Sequence, residues 1–76
     1  MFDKEDLEAA VKKVKRRYTE YYSSGHVYEN TEKILTIFLW LYDRSKDEMT
    51  LGARLFLARE IRECNFSLRL ESIMGN

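Results

Sequence analysis

Few residues in this chain are of the types that perform chemistry. The single histidine, His26, has two hydroxyl groups and a carboxylate near it in the sequence, at Ser23, Ser24 and Glu29. Nucleophilic catalysis requires a nucleophile, a base and a third group that orients the base, all within one pocket. No spacing in the sequence predicts such a pocket, so we expect His26 to be a loop residue at the surface. We predict that the protein is not an enzyme and has no catalytic residue.

The one cysteine, Cys64, lies on the apolar side of a predicted helix, where a thiol packs as a small hydrophobic group. A single cysteine and a single histidine cannot build a disulfide framework or a Cys/His zinc site within one chain. The sequence also has no glycine-rich phosphate loop and no paired spacing of metal ligands. We therefore expect no metal and no cofactor. The lone thiol, and the absence of a signal peptide after Met1, predict a cytoplasmic protein.

One segment is strongly basic, since five of the six residues at positions 12–17 are cations. Tyrosines follow it, and a basic stretch beside aromatic rings can bind phosphates and stack on bases. On a helix, however, these cations spread over about 200° and do not form one stripe. We interpret the segment first as a solvated helix face, then as a contact for an acidic protein, and last as a contact for nucleic acid. Its cations are Lys12, Lys13, Lys15, Arg16 and Arg17.

Length and charge restrict the classes of function. The chain has 76 residues, with thirteen basic and thirteen acidic side chains and a net charge of zero. Such a balance gives no overall attraction to nucleic acid or to anionic membranes, and it favours association with proteins. A domain of this size buries only about 60% of the surface of its unfolded chain. We therefore expect a single domain, residues 1–76, whose remaining apolar surface binds a partner.

The spacing of apolar residues predicts an all-α fold, a compact bundle of three to four helices around a central apolar second helix. Proline is absent, and the only strong break before the C-terminus is Ser23-Ser24-Gly25. The predicted helices span about residues 3–23, 31–44 and 48–64, with a short C-terminal helix at about 67–74. The predicted caps are Asp3 for the first helix, Asn30 or Thr31 for the second, and Asp47 or Thr50 for the third.

Three large apolar side chains do not fit the faces that their helices would bury. Trp40 falls in the polar sector of the second helix, and Leu51 and Leu55 lie among arginines, opposite the main apolar face of the third. Either other parts of the chain cover these residues, or they anchor a protein interface. We predict an interface with these residues: Trp40, Leu51, Leu55, Arg54, Arg59 and Arg62.

These observations predict a small helical protein that regulates or inhibits a protein partner by binding it, and that forms a homodimer. The sequence does not decide whether residues 65–76 pack on their own subunit or on a second one. The alternative is a small nucleic-acid-binding regulator that uses the basic first helix and the tyrosines that follow its cations, Tyr18, Tyr21, Tyr22 and Tyr28. A helix lying on a membrane is disfavoured, because the first helix has no large apolar anchors besides its own tyrosines.

Overall fold

The computed structural model describes the backbone of residues 1–22 and 27–74, and the side chains of residues 1–18 and 30–73. Within these ranges the first helix, α1, is Lys4–Tyr22, and the second, α2, is Val27–Ser45. A short 3-10 turn, Lys46–Glu48, leads from α2 towards the third helix, α3, which is Leu51–Met74. The prediction of an all-α fold is confirmed.

The first helix begins where the sequence predicts, because Asp3 caps it. The backbone N–H of Asp6 donates to Oδ1 of Asp3 at 3.0 Å, and the backbone N–H of Asp3 donates to Oδ2 of Asp6 at 3.0 Å. This is the reciprocal arrangement of a capping box, with a carboxylate in both positions. Glu5 and Asp6 also place negative charge in the first turn, where it interacts favourably with the helix dipole.

The third helix is capped by Thr50, one of its two predicted caps, whose Oγ1 accepts a hydrogen bond from the backbone N–H of Ala53 at 3.2 Å. The residues just before Thr50 also bind the N-terminus of the chain. The N–H of Phe2 donates to the carbonyl of Glu48 at 2.7 Å, and the N–H of Thr50 donates to the carbonyl of Phe2 at 2.8 Å. We call this pair of bonds, an isolated parallel bridge between Phe2 and Met49, the N-terminal bridge. It holds the start of α1 beside the start of α3.

The core lies where the three helices meet, since each of them packs against the other two. Phe38 of α2 and Leu57 of α3 are fully buried there. Helix α2 therefore contributes to the centre, as predicted, but α1 also contacts α3 directly instead of lying beyond α2. The buried apolar side chains are Leu7, Val11, Ile34, Phe38, Met49, Ala53, Leu57 and Cys64.

The predicted start of the second helix is wrong by about one turn. Helix α2 begins at Val27, so Asn30 and Thr31 lie inside it and neither acts as its cap. Both side chains are buried, and Asn30 is only 3% exposed. No proline or glycine lies between positions 26 and 46 to stop the helix from starting earlier. Asn30 and Thr31 are therefore residues of the types that cap helices, but they occupy buried positions inside α2 and not its N-terminus.

The prediction of a separate short helix at about 67–74 is also wrong, because α3 continues without interruption to Met74. Asn65 and Ser67 are weak helix formers, yet neither breaks a helix that packing on one side stabilises. The half-buried Leu68 extends the inner side of α3 beyond Cys64. Residues 66–73 therefore share the helical periodicity of residues 51–64, which determines where their side chains point.

Candidate functional site

One side of α3 is exposed to solvent over nearly the whole length of the helix and carries large apolar side chains. The exposed fractions are 61% for Leu55, 62% for Phe66 and 70% for Ile73. At 3.6 residues per turn, all the side chains of this surface fall within an arc of about 100°. We call it the outer face of α3, and it consists of Leu51, Leu55, Arg59, Arg62, Phe66, Arg69, Leu70 and Ile73.

The outer face of α3 is also basic. It contains three exposed arginines, and the nearest carboxylate along the helix, that of Glu63, lies at its edge. Arg59 pairs with Glu63 one turn further on, with 3.4 Å between Nε and Oε1. Both side chains of this pair are largely exposed, so it adds little stability. Apolar side chains and cations thus occupy one continuous surface.

Arg54, which the sequence places in the predicted interface, differs from the other arginines of α3. It lies about 60° outside the arc of the outer face, and it is half-buried. Its Nε is buried without a hydrogen-bond partner. The structure therefore brings Arg59 and Arg62 together with Leu51 and Leu55, and places Arg54 apart from them.

Trp40 is exposed on the outer side of α2, with 57% of its surface accessible. Neither α1 nor the end of α3 covers it in the described part of the chain. Its ring lies under the guanidinium of Arg44, whose Cζ is 5.1 Å from the ring centroid, in a cation–π contact. Leu39, the preceding residue, is exposed as well. This surface, with its single large aromatic side chain, is smaller than the outer face of α3.

The five cations of the basic segment are exposed on α1 and point in several directions. Lys15 binds Glu60 of α3, with 2.9 Å between Nζ and Oε2, so this cation links the two helices. Tyr18 is half-buried and packs against the core, which removes its ring from contact with a base. The predicted roles of Tyr21, Tyr22 and Tyr28 concern side chains outside the described residues.

The groups considered for chemistry are not assembled into a site in the described residues. Cys64 is buried, and this burial raises the pKa of its thiol, which the nearby Lys15 partly offsets. A thiol with a raised pKa is a poor nucleophile at neutral pH. No three side chains among the described His, Cys, Asp and Glu residues lie close enough to hold a metal ion. His26, Ser23 and Ser24 are outside the described residues, as is the side chain of Glu29.

The protein also has an apolar cavity of about 400 Å³ beside the N-terminal bridge. Asp6 and Ser45 are the polar residues in its wall. The Asp6 carboxylate already accepts the capping hydrogen bond from Asp3. The cavity therefore offers shape and apolar surface, but few polar groups that would orient a ligand. The apolar lining consists of Met1, Phe2, Leu7, Ala10, Leu41 and Met49.

Sequence reasoning missed half of the outer face of α3, namely Phe66, Arg69, Leu70 and Ile73. The error follows from the prediction of a helix break near residue 65. If the helix breaks there, the side-chain directions in residues 66–73 are no longer fixed relative to those in residues 51–64. A signal was present in the spacing. Leu55 and Phe66 are eleven residues apart, as are Arg62 and Ile73, and eleven residues make just over three whole turns of a helix.

Comparison with known proteins gives no relative, since no family model, no curated protein and no solved structure matches this chain. Among the described helices, none combines the length and the apolar character needed to cross a membrane.

Proposed function

We propose that this chain is a non-enzymatic helical bundle that binds another protein and regulates or inhibits it by occupying its surface. The single observation that carries the proposal is the outer face of α3, where five large apolar side chains are exposed. We further propose that the protein acts in the cytoplasm as a homodimer.

The composition of the outer face of α3 supports binding to a protein. Contiguous apolar patches on soluble proteins mark interaction surfaces, whereas single exposed apolar residues are common. Interfaces between proteins combine an apolar centre with polar groups, and arginine and aromatic residues are enriched in them. Leu51, Leu55 and Phe66 supply the apolar part, and the arginines between them supply the polar part.

The proposed homodimer is supported by charge and by the number of exposed apolar groups. A net charge of zero leaves little long-range repulsion between two copies. Burial of apolar surface against a second copy contributes about 25 cal/mol for each Å² removed from water. Two-fold pairing is the commonest way for a soluble chain to bury such surface. Of the side chains predicted for an interface, Trp40 is proposed to contact the second copy, whereas Leu51 and Leu55, on the outer face of α3, are proposed to contact the protein partner.

Affinity capture with the intact protein, followed by reconstitution with the purified partner, tests the proposed function. We expect Leu55→Glu to abolish binding of the reconstituted partner while far-UV circular dichroism shows unchanged helicity. The control is Lys13→Glu, which places a carboxylate at an exposed position of α1 and should leave binding unchanged. A partner that binds both variants as well as it binds the wild type would contradict the role of α3.

The alternative function, nucleic-acid binding through α1, has one supporting observation, the exposure of all five cations. Tight binding of an oligonucleotide that weakens steeply with added salt would favour it, because that slope reports neutralised phosphates. Charge reversal at Lys13 and Arg17 should then reduce the slope. We expect no such binding at physiological salt, since Lys15 already pairs with Glu60 and the remaining cations share no stripe.

A further inference from the structure

We infer that the outer face of α3 binds an acidic amphipathic helix of a different protein and not a second copy of this chain. The inference rests on the proposed protein-binding function and specifies the chemistry of the partner. It follows from three properties of this surface: its shape, its charge and the positions of its arginines relative to its midpoint.

The shape of the surface fits a helix lying alongside α3. From Leu51 to Ile73 it is about 33 Å long, at 1.5 Å per residue. A spacing of eleven residues keeps a row of side chains almost parallel to the helix axis. The row formed by Leu51, Leu55, Phe66 and Ile73 is therefore nearly straight, and a second helix of similar length can pack along it.

The charge of the surface requires carboxylates on the partner. Arg59, Arg62 and Arg69 are exposed along the row, and each guanidinium can bind a carboxylate through two hydrogen bonds. Among the described acidic residues of α3, Glu63 alone lies at the edge of the surface, and its carboxylate pairs with the first of these arginines. A helix with leucines on one side and glutamates or aspartates beside them is complementary to both properties.

A second copy of the chain is not complementary to this surface. Arg62 lies at the midpoint between Leu51 and Ile73, so antiparallel pairing of two α3 helices brings it against the Arg62 of the other copy. The same pairing places Arg69 opposite the Leu55 of the other copy, seven residues on the other side of the midpoint, so its guanidinium meets no carboxylate. Parallel pairing brings every arginine next to itself. Like charges facing each other disfavour association. We therefore assign the contact with a second copy to the surface around Trp40.

A membrane surface fits less well than a protein helix. Membrane-binding helices keep their cations at the edge of the apolar side or opposite it, where they reach the headgroups. Arg62 and Arg69 instead lie at nearly the same angles as Leu51, Leu55 and Ile73. Insertion of these apolar side chains would carry the two guanidinium groups towards the acyl chains, which is unfavourable. Nucleic acid would use the arginines, but it would leave the three aliphatic side chains without partners.

The test uses two fluorescein-labelled synthetic peptides that share one leucine spacing and differ only in the residues beside the leucines. Those residues are glutamates in one peptide and lysines in the other. We expect fluorescence anisotropy to show that the intact protein binds the glutamate peptide at least about tenfold more tightly, and less tightly as salt is added. The double variant Arg62→Glu, Arg69→Glu should reverse this preference.

The control for the double variant is Lys13→Glu, Arg17→Glu, which changes the net charge equally but on α1. It should retain the preference for the glutamate peptide, and both double variants must retain their helicity. Equal binding of the two peptides, lost together in Phe66→Ala, would overturn the acidic partner while leaving protein binding intact. Failure to bind either peptide would also overturn it. The reconstitution experiment would then test the proposed protein binding independently of the acidic partner. Binding of vesicles containing phosphatidylserine, or of an oligonucleotide, through Arg62 and Arg69 would overturn it as well.

Discussion

Leu55 and Leu57 are two residues apart in the same helix, yet they have opposite environments. Leu57 is fully buried among all three helices, whereas 61% of the surface of Leu55 is accessible to solvent. Both faces of α3 are rich in apolar residues, so composition does not distinguish them. The two faces differ in their other residues. The inner face includes the small side chains of Ala53 and Cys64, and the outer face includes arginines. The inner face is suited to a permanent dry contact, and the outer face to a contact that forms and dissociates in water.

The largest expected effect is on stability, and it would separate the two faces directly. We expect Leu57→Ala to lower the free energy of unfolding by about 2–5 kcal/mol, because it leaves a cavity in the core. We expect Leu55→Ala to change it by no more than about 0.5 kcal/mol, because the site is exposed. Urea denaturation followed by far-UV circular dichroism measures both. If Leu57→Ala does not fold, Leu57→Met provides the comparison, with an expected loss below about 1.5 kcal/mol. Equal losses at positions 55 and 57 would contradict the distinction.

The second effect concerns association and would sharpen the distinction between α3 and the Trp40 surface. We expect Trp40→Ala to raise the dimer dissociation constant about 30-fold, as for the loss of about 2 kcal/mol at an interface anchor. Light scattering should show the dimer shifting to monomer, while Leu55→Glu leaves the dimer intact. Lys33→Ala, at another exposed position of α2, is the control. A wild-type protein that stays monomeric at high micromolar concentration would exclude the homodimer, and dissociation by Leu55→Glu would place the second copy on α3.

A smaller effect is expected at the edge of α3 that meets α1. A double-mutant cycle with Lys15→Ala and Glu60→Gln should give a coupling free energy of about 0.5–1 kcal/mol, in the upper part of the range for partly exposed pairs. The reason is that the Glu60 side chain is only 15% exposed, although Lys15 is 48% exposed. The matched control is the exposed Arg59–Glu63 pair, for which we expect about 0.3 kcal/mol. A larger coupling at this second pair would show that the outer face also contributes to the stability of the fold.

The smallest effect concerns pH and Cys64 on the inner face. Burial raises the pKa of the folded thiol, so the unfolded chain loses its proton at a lower pH than the folded chain does. The stabilisation from this difference is complete below the pKa of the unfolded thiol and is lost as the pH rises through the pKa of the folded one. Between about pH 7 and about pH 10, the wild type should therefore lose more stability than Cys64→Ala. Parallel pH profiles of the two proteins would show that the thiol is solvated in the fold.

Periodicity alone identified some of the large side chains that the helices leave exposed. Trp40, Leu51 and Leu55 fall outside the arcs that their helices bury, and the structure leaves all three exposed. The caps at Asp3 and Thr50 were also predictable, because each side chain stands one residue before a helix and accepts a hydrogen bond from its first turn. These predictions succeed because they depend on local geometry.

The remaining features depend on packing, which local chemistry does not encode. Asn30 and Thr31 are good capping residues, but burial against the other helices includes them within α2. Asn65 and Ser67 suggest a break, but α3 continues through them. Arg54 belongs to the same cluster of arginines in sequence, yet the structure half-buries it. In each case the residue type is compatible with two local structures. Packing against residues distant in sequence determines which of the two forms.

The N-terminal bridge closes the chain into a loop, since it joins Phe2 to residues that follow α2. A contact between segments so far apart in sequence forms only after the intervening helices have been brought together, which makes it a late event in folding. By the same logic, α1 cannot leave the other helices as a unit until both bonds of the bridge have opened. Exchange of the amide protons of Phe2 and Thr50 with deuterated solvent would therefore time the detachment of α1, separately from the fraying of its individual turns.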